Sequence, residues 1–441
     1  MMIINLDVLA AEVENKNPTS SYMPVRTNYN ECDWQAVSGL FMSSALGVQL
    51  KNYPFEQFQQ DCEKEFKDKL NEPNFWSVLK KAYFENKDLF KVAPHCLLLN
   101  ANKDQTTAAD QRVATVLDSL LGNLKISFDA EHQLNFIERI IVKTLRANLK
   151  DKNTNSVDQP YLPFLAQRFQ QDIQFLAKNP KFLLGELSNF LELYTFLYTA
   201  QLALNLPEWE QGLPTPKPLY FILDTEKASS ERFEIKHNGW DSFKDAAHTI
   251  FPLLSMMEFL QPGGVDKKTL WQIADELRAP DDEFKYIDAL RDYTNRFKEE
   301  REIRRDLPHA TTAIECLNNL LTLARDQFDK DTAKSGSDRP DINTNKVVGS
   351  IEKYIAASFV QNRRRAGNVL TLNQDYLLLL TNIAIGTSEQ LRFVELIDAF
   401  EQRGVFFDKQ SQIRLVDFYE RIGNVERMSD SGEAVYVRKT I

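Results

Sequence analysis

Glycine is sparse in this chain, 15 in 441 residues, and none of it sits in a GxxxxGK[ST] or GxGxxG run. That excludes the two common glycine loops that cradle nucleotide phosphates. There is no HExxH and no GxSxG, and the five histidines stand far apart at 95, 132, 237, 248 and 309. His95 and Cys96 are neighbours, yet no further ligand lies at metal-site spacing. The four cysteines, Cys32, Cys62, Cys96 and Cys316, form no CxxC pair. They exclude a disulfide frame or zinc site and read as reduced thiols in a core. The early acids of "MMIINLDVLAAEVENK" leave no basic leader region, so no secretory signal is expected. The longest apolar stretch, 182–206, is broken by Glu186, Ser188, Asn189, Glu192 and Gln201. It reads as a buried helix, not a membrane span. A soluble cytoplasmic protein with no membrane contact, no cofactor and no metal is the expectation.

What is abundant is aromatic side chain: 29 Phe, 14 Tyr and 5 Trp. With 43% hydrophobic and 26% charged residues, this composition favours bulky helical cores in two or three domains. The net charge of −10 excludes a whole-surface nucleic-acid binder, because neutralising phosphates takes Lys and Arg. Any DNA contact must come from a local patch. Amphipathic helices are predicted from Asp33 onward, as in "DWQAVSGLFMSSALGVQL", "TAADQRVATVLDSLLGNL" and "DAEHQLNFIERIIVKTLRANL". "LPFLAQRFQQDIQFLAKN" and "PKFLLGELSNFLELYTFLYTAQLALN" predict a helical hairpin at the centre. Its aromatic stripe (Phe182, Phe190, Tyr194, Phe196, Tyr198) has the spacing of core packing. Sub-boundaries are expected near 150–160 and at 207–218, where four prolines exclude regular structure.

After those prolines, "LYFILD" reads as a buried strand and "FEIK" as a second strand pairing back on it, a small β-hairpin insertion in the helical body. On a strand, Glu234 and Lys236 would share a face near Asp224. That is the outline of a D…(D/E)xK nuclease site, in which two carboxylates hold Mg²⁺ and the lysine assists the attacking water. The same E-x-K is common on solvated strands, and that nuclease fold needs more strands than are visible here.

Residues 329–346, "DKDTAKSGSDRPDINTNK", hold hardly any large apolar side chain and predict a polar linker between a helical body (1–328) and a C-terminal unit (347–441). The fold class expected is mainly α, with a winged-helix-like C-terminal domain. Helices over "LNQDYLLLLTNIAIG", "SEQLRFVELIDAFEQRG" and 408–422 precede two β-type runs flanking Ser429-Asp430-Ser431-Gly432. In the last helix Asp408 is the expected N-cap and Gly423 the stop. Ile413, Val416, Tyr419 and Ile422 are read as the inward stripe. Lys409, Gln410, Gln412, Arg414, Asp417 and Arg421 are read as outward. Residues 371–441 carry eight basic and eleven acidic side chains, a net of −3 where a self-sufficient DNA-binding domain is usually positive. Arg363-Arg364-Arg365 could restore a positive edge. The candidate DNA contacts are Arg364, Arg365, Lys409, Gln410, Arg414 and Arg427.

Several stretches together resemble the DptG (DndG) family of DNA phosphorothioation-dependent restriction systems. They are "YMPVRTNYNECDWQAVSGLF", "YLPFLAQRFQQDIQFL", "FLELYTFLYTAQLAL", "PLYFILDTEKASSERF" with "NGW", and "ERMSDSGEAVYVR". The resemblance spans nearly the whole chain, and none of these stretches is a catalytic signature. It implies a bacterial antiphage-defence subunit that works with two larger partners, DptF-like and DptH-like, which carry ATPase and DNA-processing activity. No catalytic residues come with it. The leading expectation is therefore a non-catalytic subunit of the restriction complex. The competing readings are a metal-dependent nuclease using Asp224, Glu234 and Lys236, and a winged-helix transcription regulator.

Overall fold

The helices begin where the capping residues place them. Asp33 opens α1 (Trp34–Leu46) by accepting from the Gln35 N–H at 2.9 Å, and Gly47, at φ +69°, closes it in the left-handed region. Thr107 and Asp110 form a capping box at the start of α2 (Ala108–Leu121). Prolines occupy the first positions of α3 (Pro163–Ala177) and α4 (Pro180–Asn205). The computed structural model describes residues 3–69, 75–86, 88–101, 106–128, 134–152, 157–227, 232–263, 266–427 and 435–441.

The 26-residue α4 is the axis of the molecule, buried at every position from Leu193 to Ala203. Phe190, Tyr194, Phe196 and Tyr198 of the aromatic stripe are fully buried, and Phe182 partly so. Phe169 of α3 meets Tyr194 edge-on at 5.0 Å between ring centres. The N-terminal segment crosses this core: Tyr22, Met23 and Val25 are buried, and the Tyr22 hydroxyl donates to the Gln159 carbonyl at 2.8 Å. Further helices at Trp240–Ala247, Ile250–Phe259, Leu270–Leu277, Glu283–Glu300 and Ala313–Asp326 complete the body. A satellite core gathers Phe58, Phe66, Trp76 and Ile141 around Cys62 and Cys96. All four cysteines are free thiols.

Among the described residues three small sheets lie between the helices. A ribbon pairs β1 (Val48–Leu50) with β2 (Leu149–Asp151) antiparallel. The second sheet departs from the expected hairpin. Strand β3 (Tyr220–Leu223) forms as read, but "FEIK" is a short helix, α5 (Phe233–His237), with no strand character. The partners of β3 come from far downstream. β4 (Val360–Asn362) and β5 (Asn368–Leu372) make a hairpin, and the sheet order is β4-β5-β3-β7, with β7 at Phe406–Phe407. β3 runs parallel to both β5 and β7.

From β5 the chain enters α6 (Gln374–Ile385), then strand β6 (Gln390–Arg392), α7 (Phe393–Glu401), α8 (Lys409–Arg421), β8 (Val425–Arg427) and β9 (Val435–Arg438). The third sheet, β6-β9-β8, is antiparallel throughout. Helix, strand, two helices and a two-strand wing is winged-helix order. The short strand β6 is the part that the sequence pattern does not announce. Residues 428–434, including the expected turn Ser429–Gly432, lie outside the described residues.

Two other expectations change. Residues 206–211 form a 3₁₀ turn, Leu206–Gln211, despite Pro207. The stretch 329–346 is no extended linker: Ala333, Pro340 and Asn343 are buried, and helical turns run from Arg339 through Ile355. The Asn343 amide donates to the His248 carbonyl at 2.8 Å. One continuous apolar cluster extends from Ile3 to Val437 and includes both sides of that stretch.

Candidate functional site

Helix α8 holds the place of the third helix of a winged helix, and its surroundings decide what it can reach. Its buried positions are Ser411, Leu415, Phe418 and Tyr419. Ile413, read as inward from its hydrophobicity, is 64% exposed. The inward face is thus turned toward Ser411, a polar residue. Lys409, Gln410, Arg414, Asp417 and Arg421 are exposed, as read.

Ser411 is inward because it joins a buried ion network. Asp408 caps α8, accepting from the Ser411 N–H at 2.9 Å. Arg232, from the helical body, grips the same carboxylate with Nε at 2.8 Å and with Nη2. Its Nη1 donates to Glu226 Oε2 at 2.9 Å, and its Nη2 donates to the Ser411 hydroxyl at 2.7 Å. Glu226 also accepts from the Leu223 N–H at 2.9 Å, which ties the network to the end of β3. Burial opposes ionisation of Asp408, but the Arg232 guanidinium and the Ser411 N–H outweigh it and hold the carboxyl below its usual range. Burial likewise opposes the charge on Arg232, and Asp408 with Glu226 more than offsets it.

The loop after β3 runs along the exposed side of α8. Leu223, Thr225, Glu226 and Lys227 face Gln410, Arg414, Asp417 and Arg421 across a cleft of about 870 Å³. A smaller pocket of about 250 Å³ shares Leu223, Thr225 and Arg421, and adds Asp224 and Gln374. On its other side this loop meets the β4–β5 hairpin, where Arg363 donates to the Asp224 carbonyl. Arg364 and Arg365 are exposed at that hairpin tip, Arg364 in the left-handed region at φ +54°. The candidate contacts Arg364, Arg365, Lys409, Gln410 and Arg414 therefore sit on two elements bridged by one fixed loop. Arg427 lies on β8, half-buried, at the edge of residues 428–434. Some of the positive charge is already paired: Arg414 lies 3.3 Å from Asp417, and Arg438 meets Glu426.

The nuclease geometry is not assembled as read. Glu234 and Lys236 are two apart on a helical turn, which points them to different sides of α5. Glu234 accepts from the Asn238 amide at 2.7 Å. Among the described residues no group of three or more His, Cys, Asp or Glu side chains is placed to hold a metal ion.

A second buried pair, invisible in the sequence, bolts the winged helix to the body. Arg403, between α7 and α8, holds Asp172 of α3 with Nε at 2.8 Å and Nη2 at 2.5 Å. The Tyr194 hydroxyl donates to the same carboxylate, and Arg403 Nη1 donates to the Ala399 carbonyl at 2.6 Å. Next to it, Gly404 sits at φ +81°, where a Cβ would run into the Gln201 side chain. No described helix is long and apolar enough to cross a membrane.

Fold and site together define a mainly helical protein with a winged helix built into its core. No protein-family model matches the sequence, and no curated protein matches it significantly.

Proposed function

We propose that this chain is a cytoplasmic, non-catalytic subunit of a phosphorothioation-dependent DNA restriction complex, of the kind the DptG (DndG) resemblance implies. The helical body docks DptF-like and DptH-like partners, and the winged helix contacts DNA. The observation that supports the contact is the bridged surface of hairpin arginines and α8 side chains beside the loop at 223–227. One feature favours a backbone contact over base reading. The loop is pinned against α8 by the Glu226–Arg232–Asp408 network, so a duplex groove meets a wall beside that helix. The net charge of −3 over 371–441 leaves only local cations to attract phosphates.

Expression of the chain with its two larger partners tests the docking. Recovery of all three together supports it, and a chain that purifies alone from the complete set refutes it. For the DNA contact, fluorescence anisotropy on a duplex should show weaker binding for Arg364→Ala/Arg365→Ala, for Lys409→Ala/Arg414→Ala and for Arg427→Ala. The log–log salt slope should fall by about 0.9 for each phosphate that the variant no longer neutralises. Unchanged affinity and slope in all three would make this face a protein-docking surface.

A further inference from the structure

The β1–β2 ribbon gathers positive charge on one face. Its register sets Gln49 opposite Lys150, so alternation places Gln49 and Lys51 with Lys150 and Lys152 on the same side. The ladder continues past the strand ends, where the Lys51 N–H donates to the Asn148 carbonyl at 3.0 Å and the Lys152 N–H to the Gly47 carbonyl at 2.9 Å. Val48 and Leu149 pack against the core. Lys51 and Lys150 are diagonal neighbours on that face, close enough to repel each other weakly. In a chain of net charge −10 the clustering calls for a reason.

Gln49, Lys51, Lys150 and Lys152 line a cleft of about 520 Å³ together with Leu40, Ala101, Tyr53 and Gln111. No described lining residue is a carboxylate. Beneath the cleft, Lys152 Nζ donates to the Ser44 hydroxyl at 2.6 Å, and that hydroxyl donates to Asp118 at 2.7 Å. Asp118 thereby fixes Lys152 as a wall, and burial pushes its carboxyl up to about 6, below neutrality. Lys51 and Lys150 are exposed, and the Lys51 ammonium donates weakly to the Ala147 carbonyl at 3.4 Å. The volume suits a small ligand. Exposed ammonium groups in one cleft with apolar and aromatic side chains suit a ligand with a charged end and a flat end.

We propose that this cleft binds a nucleoside diphosphate, its phosphates on the exposed Lys51 and Lys150 and its base against the half-buried Leu40 and Tyr53. The site uses side chains where nucleotide folds use a glycine loop, and it stands independently of the winged-helix reading. Titration calorimetry on the full chain with ADP, GDP, CDP and UDP should show saturable binding by at least one. The matching nucleoside and inorganic phosphate should each bind at least tenfold more weakly. Lys51→Ala/Lys150→Ala should weaken the diphosphate at least tenfold with no change in thermal midpoint, whereas Lys409→Ala/Arg414→Ala should leave it unchanged. No binding at millimolar diphosphate would overturn the proposal. So would a nucleoside or inorganic phosphate that binds as tightly, or a ribbon variant that binds like the native chain.

Discussion

Removing the carboxylate of Asp172 would strand the Arg403 guanidinium, whose side chain is 5% exposed, without a countercharge. Breaking one side of such a pair typically costs about 3–5 kcal/mol. Asp172→Ala should therefore lower the urea midpoint steeply, and pairing it with Arg403→Met should recover much of the loss. The sequence offers no sign of this pair, because its members lie 231 positions apart. The exposed face of α8 is legible residue by residue except at Ile413 and at Gln412, which is half-buried and donates to the Phe407 carbonyl. Hydrophobicity alone turns Ile413 inward, but the inward place goes to Ser411, whose hydroxyl meets Arg232 and Glu226. Polar partners from another part of the chain decided the rotation of that helix.

At the scale of elements, α8 is held at its first turn by one arginine from the body. Arg232→Ala would leave Glu226 and Asp408 facing each other with the cation gone. The expected result is a loss of about 3 kcal/mol or more, with faster amide exchange across residues 409–414 than in the rest of the winged helix. The pH dependence follows from Asp408. Its carboxyl is held below the usual range when folded, so its stabilisation is present above the unfolded value and is lost as pH falls through the folded one. Acid unfolding of the native chain should thus steepen below about pH 4, and Asp408→Asn should flatten that limb. Helices with caps and proline starts were readable because capping is local. Strand β3 was readable from its apolar run, but its partners were not, since parallel pairing leaves no turn signal nearby. "FEIK" misled because four alternating residues also fit one helical turn. β6 escaped notice because it is three residues long and two of them, Gln390 and Arg392, are polar.

For the whole molecule, one apolar cluster joins the body to the winged helix, and strand β3 stands between β5 and β7. Unfolding should therefore be a single transition in which near- and far-ultraviolet signals coincide. A fragment of residues 347–441 would lack the strand that β5 and β7 pair with, and the Asp172 and Arg232 side chains as well. Its nuclear magnetic resonance spectrum should show poor dispersion, and a well-dispersed one would show that the unit folds alone. Composition marked 329–346 as a seam because large apolar residues are few there, yet Ala333, Pro340 and Asn343 are buried. Such packing depends on partners that composition does not reveal. The sheet order has a consequence for biogenesis. Tyr220–Leu223 must wait for residues 368–372 and then 406–407 before both edges are satisfied. At about 5–20 residues per second that is roughly 10–40 s with an apolar segment unpaired on the nascent chain. Premature termination upstream of residue 368 would release a polypeptide with that edge open to self-association, so a ribosome that stalls late yields an aggregation-prone product and no partial protein.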